Sequence, residues 1–273
     1  MEITKSEFES FLCVATSSQG EVYDKVAPYF AASYDECKAS VLGDVGTGAA
    51  EGANHETLTS AVKKWVCLHA FIAEFRQLDL VLTPTGFGVV NTQQMAPASK
   101  QRVDALIGQL RDSSLQAHGQ LLEELCKISD WGGCQQAKEN IDTLFFDFRL
   151  LQRMQGPAVS HLDWQAAQRL IGEADEALRL KLSNQYMDEL LDKVRRGAAG
   201  AADNAVILLC RQIIFFWICG DQEGVKVKMR RLLGMLDADR ETYTTYSEYG
   251  YPVNHHENFQ NTKDAPAYIF GGR

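Results

Sequence analysis

The sequence predicts a mainly α-helical protein, a multi-helix bundle with one β-hairpin inserted at about residues 80–90 and an extended C-terminal arm. Three observations lead to that fold class. Side chains recur at three-and-four spacing over most of the chain, as in Leu58, Val62, Trp65, Val66, His69, Ile72 and Phe75. One stretch, LVLTPTGFGVV from Leu80 to Val90, breaks the pattern with two short apolar runs around Thr83-Pro84-Thr85-Gly86. From Asp237 onward the periodicity fades, and Tyr, Asn and Gly become common.

Taken in order, Gly20 to Leu42 reads as helix, kinked or restarted near Pro28 because proline removes a backbone donor. Gly43 to Ala53, GDVGTGAAEGA, reads as a small-residue flexible linker. Thr57 to Leu78 returns to helix, with His69 read as a satisfied core histidine on the buried stripe. After the hairpin, Ser99 is the expected N-cap of a long amphipathic helix, ended by Trp131-Gly132-Gly133. Cys134 to Met154 is ambiguous, since LFFDFRLL suits a buried helical turn or a strand. Ser160 opens a helix to Leu182, and Tyr186 to Val194 forms a shorter one.

Ala205 to Cys219 is apolar on nearly every face. It is expected to be the most buried helix, with Ile213, Ile214 and Trp217 in the core. Val225 to Leu236 forms another helix, on which Lys226, Lys228, Arg230 and Arg231 read as a solvated face. The domain expectation is a helical body over 1–236 and an arm over 237–273. Tyr268, Ile269 and Phe270 form the arm's contact end. A faint echo between residues 20–130 and 134–236, each carrying a Trp-bearing apolar helix, points to a duplicated helical unit.

Bulk properties narrow the function classes. A chain of 273 residues buries roughly 70% of its unfolded surface and needs no staples. Acids exceed bases, 36 against 27, so the surface does not suit a general nucleic-acid sheath, and no sequence-specific nucleic-acid contact is expected. Seven scattered cysteines without a Cys-x-x-Cys suit a reducing compartment. The segment Ala205 to Cys219 is short and carries Arg211-Gln212 at its centre, which argues against a bilayer span; a cytoplasmic protein is expected.

The chain carries no P-loop, no Gly-x-Ser-x-Gly and no Glu-x-x-His. His255-His256-Glu257 is the one tight histidine cluster and reads as a solvated loop. The acid pairs Asp35-Glu36, Glu123-Glu124 and Asp175-Glu176 read as solvated helix faces. No catalytic residue, metal or cofactor is therefore expected, and the protein is read as non-enzymatic.

The hairpin has well-defined turn chemistry. Pro84 presets φ for a type I turn, and Gly86 can adopt the left-handed conformation that completes a bulged hairpin. Its arms are too short to be stable alone. The hairpin either packs on its own helices or presents Leu80, Leu82, Phe87 and Val89 to a neighbour, with Gly88 between them. The block DLVLTPTGFGVVNTQQMAPASKQRVDALIGQL, Asp79 to Leu110, resembles an uncharacterised protein family from prophages of gut anaerobic bacteria. The matching positions are Leu82 to Pro84, Gly86 to Val90, and Pro97 to Lys100. That family in turn resembles phage head–tail connector, or head-completion, proteins. The resemblance implies a neck component that assembles through hairpin and arm. Its partners would be copies of itself and portal, capsid or tail proteins, in the host bacterial cytoplasm and then in the virion. The alternatives are a helical ligand- or partner-binding module of bacterial cytoplasm, marked by an apolar pocket, and a hydrolase, marked by convergent titratable residues.

Overall fold

The computed structural model describes residues 1–12, 21–75, 78, 80–83, 86–89 and 99–255, and for 80–89 the backbone alone. The chain is mainly helical. Helix α1 (Lys5–Phe11) starts from a capping box in which Thr4 and Glu7 satisfy each other's backbone donors. Helix α2 (Glu21–Val26) passes through a 3-10 turn at Ala27–Tyr29, where Pro28 sits, into α3 (Phe30–Cys37). Proline thus restarts the helix where its missing N–H dictates. A π-helical turn, Lys38–Leu42, follows. Phe8, Phe30 and Phe71 close this end of the core, with ring centroids 5.7 and 6.0 Å from Phe8.

Residues 43–53 are not a linker. Gly43–Glu51 form helix α4, with Gly46 and Ala50 buried. A Cβ on Gly46 would stand 3.0 Å from Leu125 and 3.4 Å from Trp131, so the missing side chain lets the helix seat directly on them. Poor intrinsic propensity is overruled by that packing. Helix α5 (Glu56–Glu74) buries Leu58, Val62, Trp65, Val66 and Phe71, on the stripe its spacing predicts. His69 stands at the edge of that stripe instead of in the core. It stacks on Trp65 at 4.6 Å, with Nδ1 3.4 Å from the Ser33 hydroxyl and Nε2 3.6 Å from Glu36.

Strands β1 (Leu80–Thr83) and β2 (Gly86–Val89) follow α5 and pair antiparallel, with Leu80 opposite Val89 and Leu82 opposite Phe87. Pro84 lies outside the described residues. Helix α6 (Lys100–Leu125) then packs along α5. Ser99 occupies its N-cap position, although its hydroxyl makes no capping bond.

The ambiguous region resolves into pieces. A 3-10 turn at Trp131–Gly133 leads to α7 (Gln135–Asn140); an irregular segment follows, and then α8 (Phe148–Gln155). The irregular segment is buried at Ile141, Leu144 and Phe145. Its backbone is neither helix nor strand because arginines satisfy it: Arg195 donates to the Ile141 carbonyl (2.7 and 3.0 Å) and Arg211 to that of Leu144 (2.9 Å). Trp131 is fully buried, and its indole N–H donates to the Val41 carbonyl at 3.1 Å.

The second half comprises α9 (His161–Leu182), α10 (Asn184–Arg195), α11 (Ala201–Ile218) and α12 (Gln222–Ala238). Ser160 caps α9 with Asp163 in a capping box, as the sequence predicts. Helix α11 packs against α9 and α12 and buries Val206, Ile207, Leu209, Cys210, Ile213 and Ile214. It is not buried all round. Leu208 is 53% exposed, and Trp217, expected in the core, is only half-buried. The helix simply has more apolar faces than it has neighbours.

The expected arm boundary at residue 237 is also corrected. A π-helical turn at Tyr246–Gly250 and a short helix, α13 (Tyr251–Asn254), pack back onto the body. Tyr246 is fully buried 5.9 Å from the Tyr186 ring, and its hydroxyl donates to Asp237 at 2.9 Å. Aromatic burial here replaces the helical periodicity that the sequence lacks. Tyr268, Ile269 and Phe270 lie outside the described residues.

Candidate functional site

Two features of the surface stand out. The first is the outer side of the α11–α12 pair. Leu208 and Phe215 are seven residues apart and so share one side of α11. On α12, Val227 is 56% exposed. A shallow groove of about 570 Å³ runs along α12 past Val225, Met229 and Leu233, edged by Lys226, Arg230 and Asp237. Helix α11 has the length and apolarity to cross a bilayer, at the lower limit of length; one face of it is nevertheless occupied by α9 and α12 of the same chain. What remains is exposed apolar surface at Leu208 on α11 and at Val227 and along the groove on α12, on a well-packed scaffold; such surface marks contact with another macromolecule where it is contiguous.

The second feature is an open cleft of about 720 Å³ between α6, the 146–147 bend, α8 and α11. Its chemistry comes from LFFDFRLL, the stretch whose secondary structure was ambiguous. Asp147 caps α8 by accepting from the Arg149 backbone N–H at 2.8 Å. The same carboxylate accepts from the Arg149 guanidinium at 2.9 and 2.7 Å. Arg149 also reaches Glu123 (3.0 Å) and donates to the Gly119 carbonyl (2.8 Å). A Cβ at Gly119 would collide with the Asp147 carboxylate, so only glycine lets α6 approach this closely. Asp147 is 5% exposed and Arg149 23%, so a buried, hydrogen-bonded carboxylate is paired with a partly exposed guanidinium. The sequence reading missed both residues. The available signal was an Asp-x-Arg inside an otherwise apolar run, which burial tolerates only as a pair.

Around the cleft, titration is set mostly by burial. The Cys126 thiol on its wall is pushed up to about 12 by burial, with Glu123 adding to the effect, and is held protonated at neutral pH. Cys37 and Cys67 are likewise pushed up to about 12 by burial. Burial also holds the His118 imidazole below its ordinary pKa, although the Asp147 carboxylate pulls the other way. The unfolded chain therefore binds that proton more tightly than the native state. Stability should fall as pH drops from about 7 through the unfolded value near 6.5. A His118→Gln variant should lose less stability than the wild type between about pH 7 and 5, as read by urea denaturation at each pH. Equal losses in the two proteins would refute the assignment.

The acid pairs are not uniformly solvated. Glu123 and Glu124 engage Arg149 and Lys127, while Asp175 is buried and pairs with Arg179 at 2.7 Å. Among the described residues no group of three or more His, Cys, Asp or Glu side chains is arranged to hold a metal ion. His255 stacks on Tyr251 at 4.1 Å and bonds Asp237 at 3.0 Å, and His256 lies outside the described residues.

Residues 31–141, less than half of the chain, match a family described as a family of unknown function (DUF6712). Comparisons with curated proteins and with solved structures gave no match.

Proposed function

We propose that the protein is a non-enzymatic assembly subunit that associates with copies of itself through the outer side of α11–α12 and through the β1–β2 hairpin. The single observation that carries this reading is the exposed apolar side of α11, where Leu208 is 53% exposed and Phe215, seven residues on, is only half-buried. The hairpin adds support. Its apolar residues occupy two cross-strand register pairs, Leu80 with Val89 and Leu82 with Phe87, in a two-stranded unit too small to be stable alone. The resemblance of the Asp79–Leu110 block makes the specific reading a head–tail connector or neck component of a prophage, with portal, capsid or tail proteins as further partners. The duplicated helical unit belongs to the same reading, and the matched segment 31–141 overlaps its first half.

Two double variants test this. Leu208→Glu with Val227→Glu on α11 and α12, or Phe87→Asp with Val89→Asp on the hairpin, should leave helix content and melting nearly unchanged. Each should abolish association measured by light scattering and incorporation into particles measured by electron microscopy. Burial of each large apolar side chain on a neighbour contributes roughly 2 kcal/mol before ordering costs, so two charges suffice to disrupt the contact. A collapsed fold with unaffected association would overturn the reading and assign these residues to the protein's own core. The second reading, a ligand-binding helical module, is favoured by one observation: the arginine-lined cleft.

A further inference from the structure

Arg211 is the charge that interrupts the most apolar helix of the chain, and the assembly reading gives it no role. It lines the cleft bounded by Phe146, Leu150, Arg153 and Val194. The charged groups on the cleft wall are Glu123, Asp147, Arg149, Arg153 and Arg211, three positive against two negative. Arg149 engages both carboxylates, at 3.0 Å for Glu123 and 2.7 Å for Asp147. Neither Arg153 nor Arg211 has a carboxylate within 4.0 Å among the described residues.

The bland explanation for Arg211 is a tether, since its Nε–H donates to the Leu144 carbonyl at 2.9 Å. That bond employs one of the five donors a guanidinium carries. Its guanidinium carbon lies 5.9 Å from the centre of the Phe146 ring, a cation–π contact that adds no hydrogen-bond acceptor. Burial and the like charge of Arg153 both work against the cation, which lowers its pKa. A tether to one carbonyl does not explain why a cation is kept against both. A planar fork with idle donors at the wall of an open cleft is what bidentate recognition of an oxyanion needs. The remaining walls, Phe146, Leu150, Pro157 and Val194, are apolar and suit the body of a ligand more than a second charge.

We propose that this cleft binds a small organic anion, a carboxylate or phosphate group on an apolar or aromatic body, with Arg211 and Arg153 holding the oxyanion. An isolated cleft with two arginines that lack a carboxylate partner, in a chain of net charge −9, does not offer the extended basic track that a nucleic-acid backbone requires.

The test uses the full chain, with phenyl phosphate, benzoate and inorganic phosphate as probes in titration calorimetry and thermal unfolding. One of the two aromatic anions should bind saturably with one-to-one stoichiometry and more tightly than inorganic phosphate. Which of the two binds better identifies the head group. At ten times its dissociation constant it should raise the melting temperature by roughly 3–5 °C. Arg153→Gln, on the exposed side of the cleft, should weaken binding about tenfold or more, the equivalent of one charge-assisted hydrogen bond. Arg211→Met should abolish binding while the free protein still folds, because removing a charge without a carboxylate partner offsets part of the loss of the bond to the Leu144 carbonyl. Absence of saturable binding to the wild type overturns the proposal. So does binding that survives both substitutions. An Arg211→Met chain that unfolds, together with an Arg153→Gln chain that binds like the wild type, would reduce Arg211 to the Leu144 tether and also overturn it.

Discussion

Trp131→Ala should lower the free energy of unfolding by about 3–5 kcal/mol, enough to leave a typical domain marginal. Trp131 is fully buried in the turn after α6, beneath α4, where Gly46 exists to make room for it. Alanine would remove the indole's contacts, leave a cavity next to Leu125, and strand the Val41 carbonyl that the indole N–H satisfies at 3.1 Å. Because Val41 belongs to the π-helical turn, the loss should loosen the connection between α3 and α4. Chemical denaturation would read the change as a shift in midpoint with little change in slope. Trp131→Phe should recover most of the packing but not the hydrogen bond. Trp217→Ala should cost clearly less than Trp131→Ala, since Trp217 is only half-buried. A Trp217→Ala chain as unstable as Trp131→Ala, or more so, would contradict the core described here.

Removing the Asp147 carboxylate should have an effect of the same size. Asp147→Ala is expected to destabilise the fold by about 3–5 kcal/mol, the usual consequence of leaving a buried charge without its partner. Arg149, whose side chain is 23% exposed, would keep only the more exposed Glu123 as a counter-charge. Helix α8 would also lose its N-cap, worth about 1 kcal/mol. The double variant Asp147→Ala with Arg149→Met should be more stable than Asp147→Ala alone, because no unpaired charge remains. A double-mutant cycle by urea denaturation checks this. Additive losses would show that the two side chains do not act as a pair.

The two cases differ in how far the sequence announces them. The Ser160–Asp163 capping box, the restart at Pro28 and the buried stripe of α5 depend on residues three or four positions apart. Such interactions are local and can be read from spacing. The Asp147–Arg149 pair is also local, yet its meaning is not, because an Asp-x-Arg is ordinary on a surface and consequential only where α6 presents Gly119 against it. The cleft is less legible still. Arg211 is visible as an interruption of an apolar helix, but Arg153 and Phe146 join it only through the fold.

By itself the sequence determined the helical class, most of the helix positions, and the two apolar runs of LVLTPTGFGVV that break the helical pattern, because periodicity, caps and turn residues act over a few residues of chain. Tertiary structure alone decided that the glycine-rich 43–51 segment is a helix, since its stability comes from seating small residues on Leu125 and Trp131. It decided that Trp131 is fully buried whereas Trp217 is only half-buried. It also decided that Tyr246 turns back into the core, where the sequence suggested an arm. The physical reason is common to all three. Hydrophobicity states that a side chain gains by leaving water, whereas which side chains do so depends on the partner surfaces that distant parts of the chain bring to meet them.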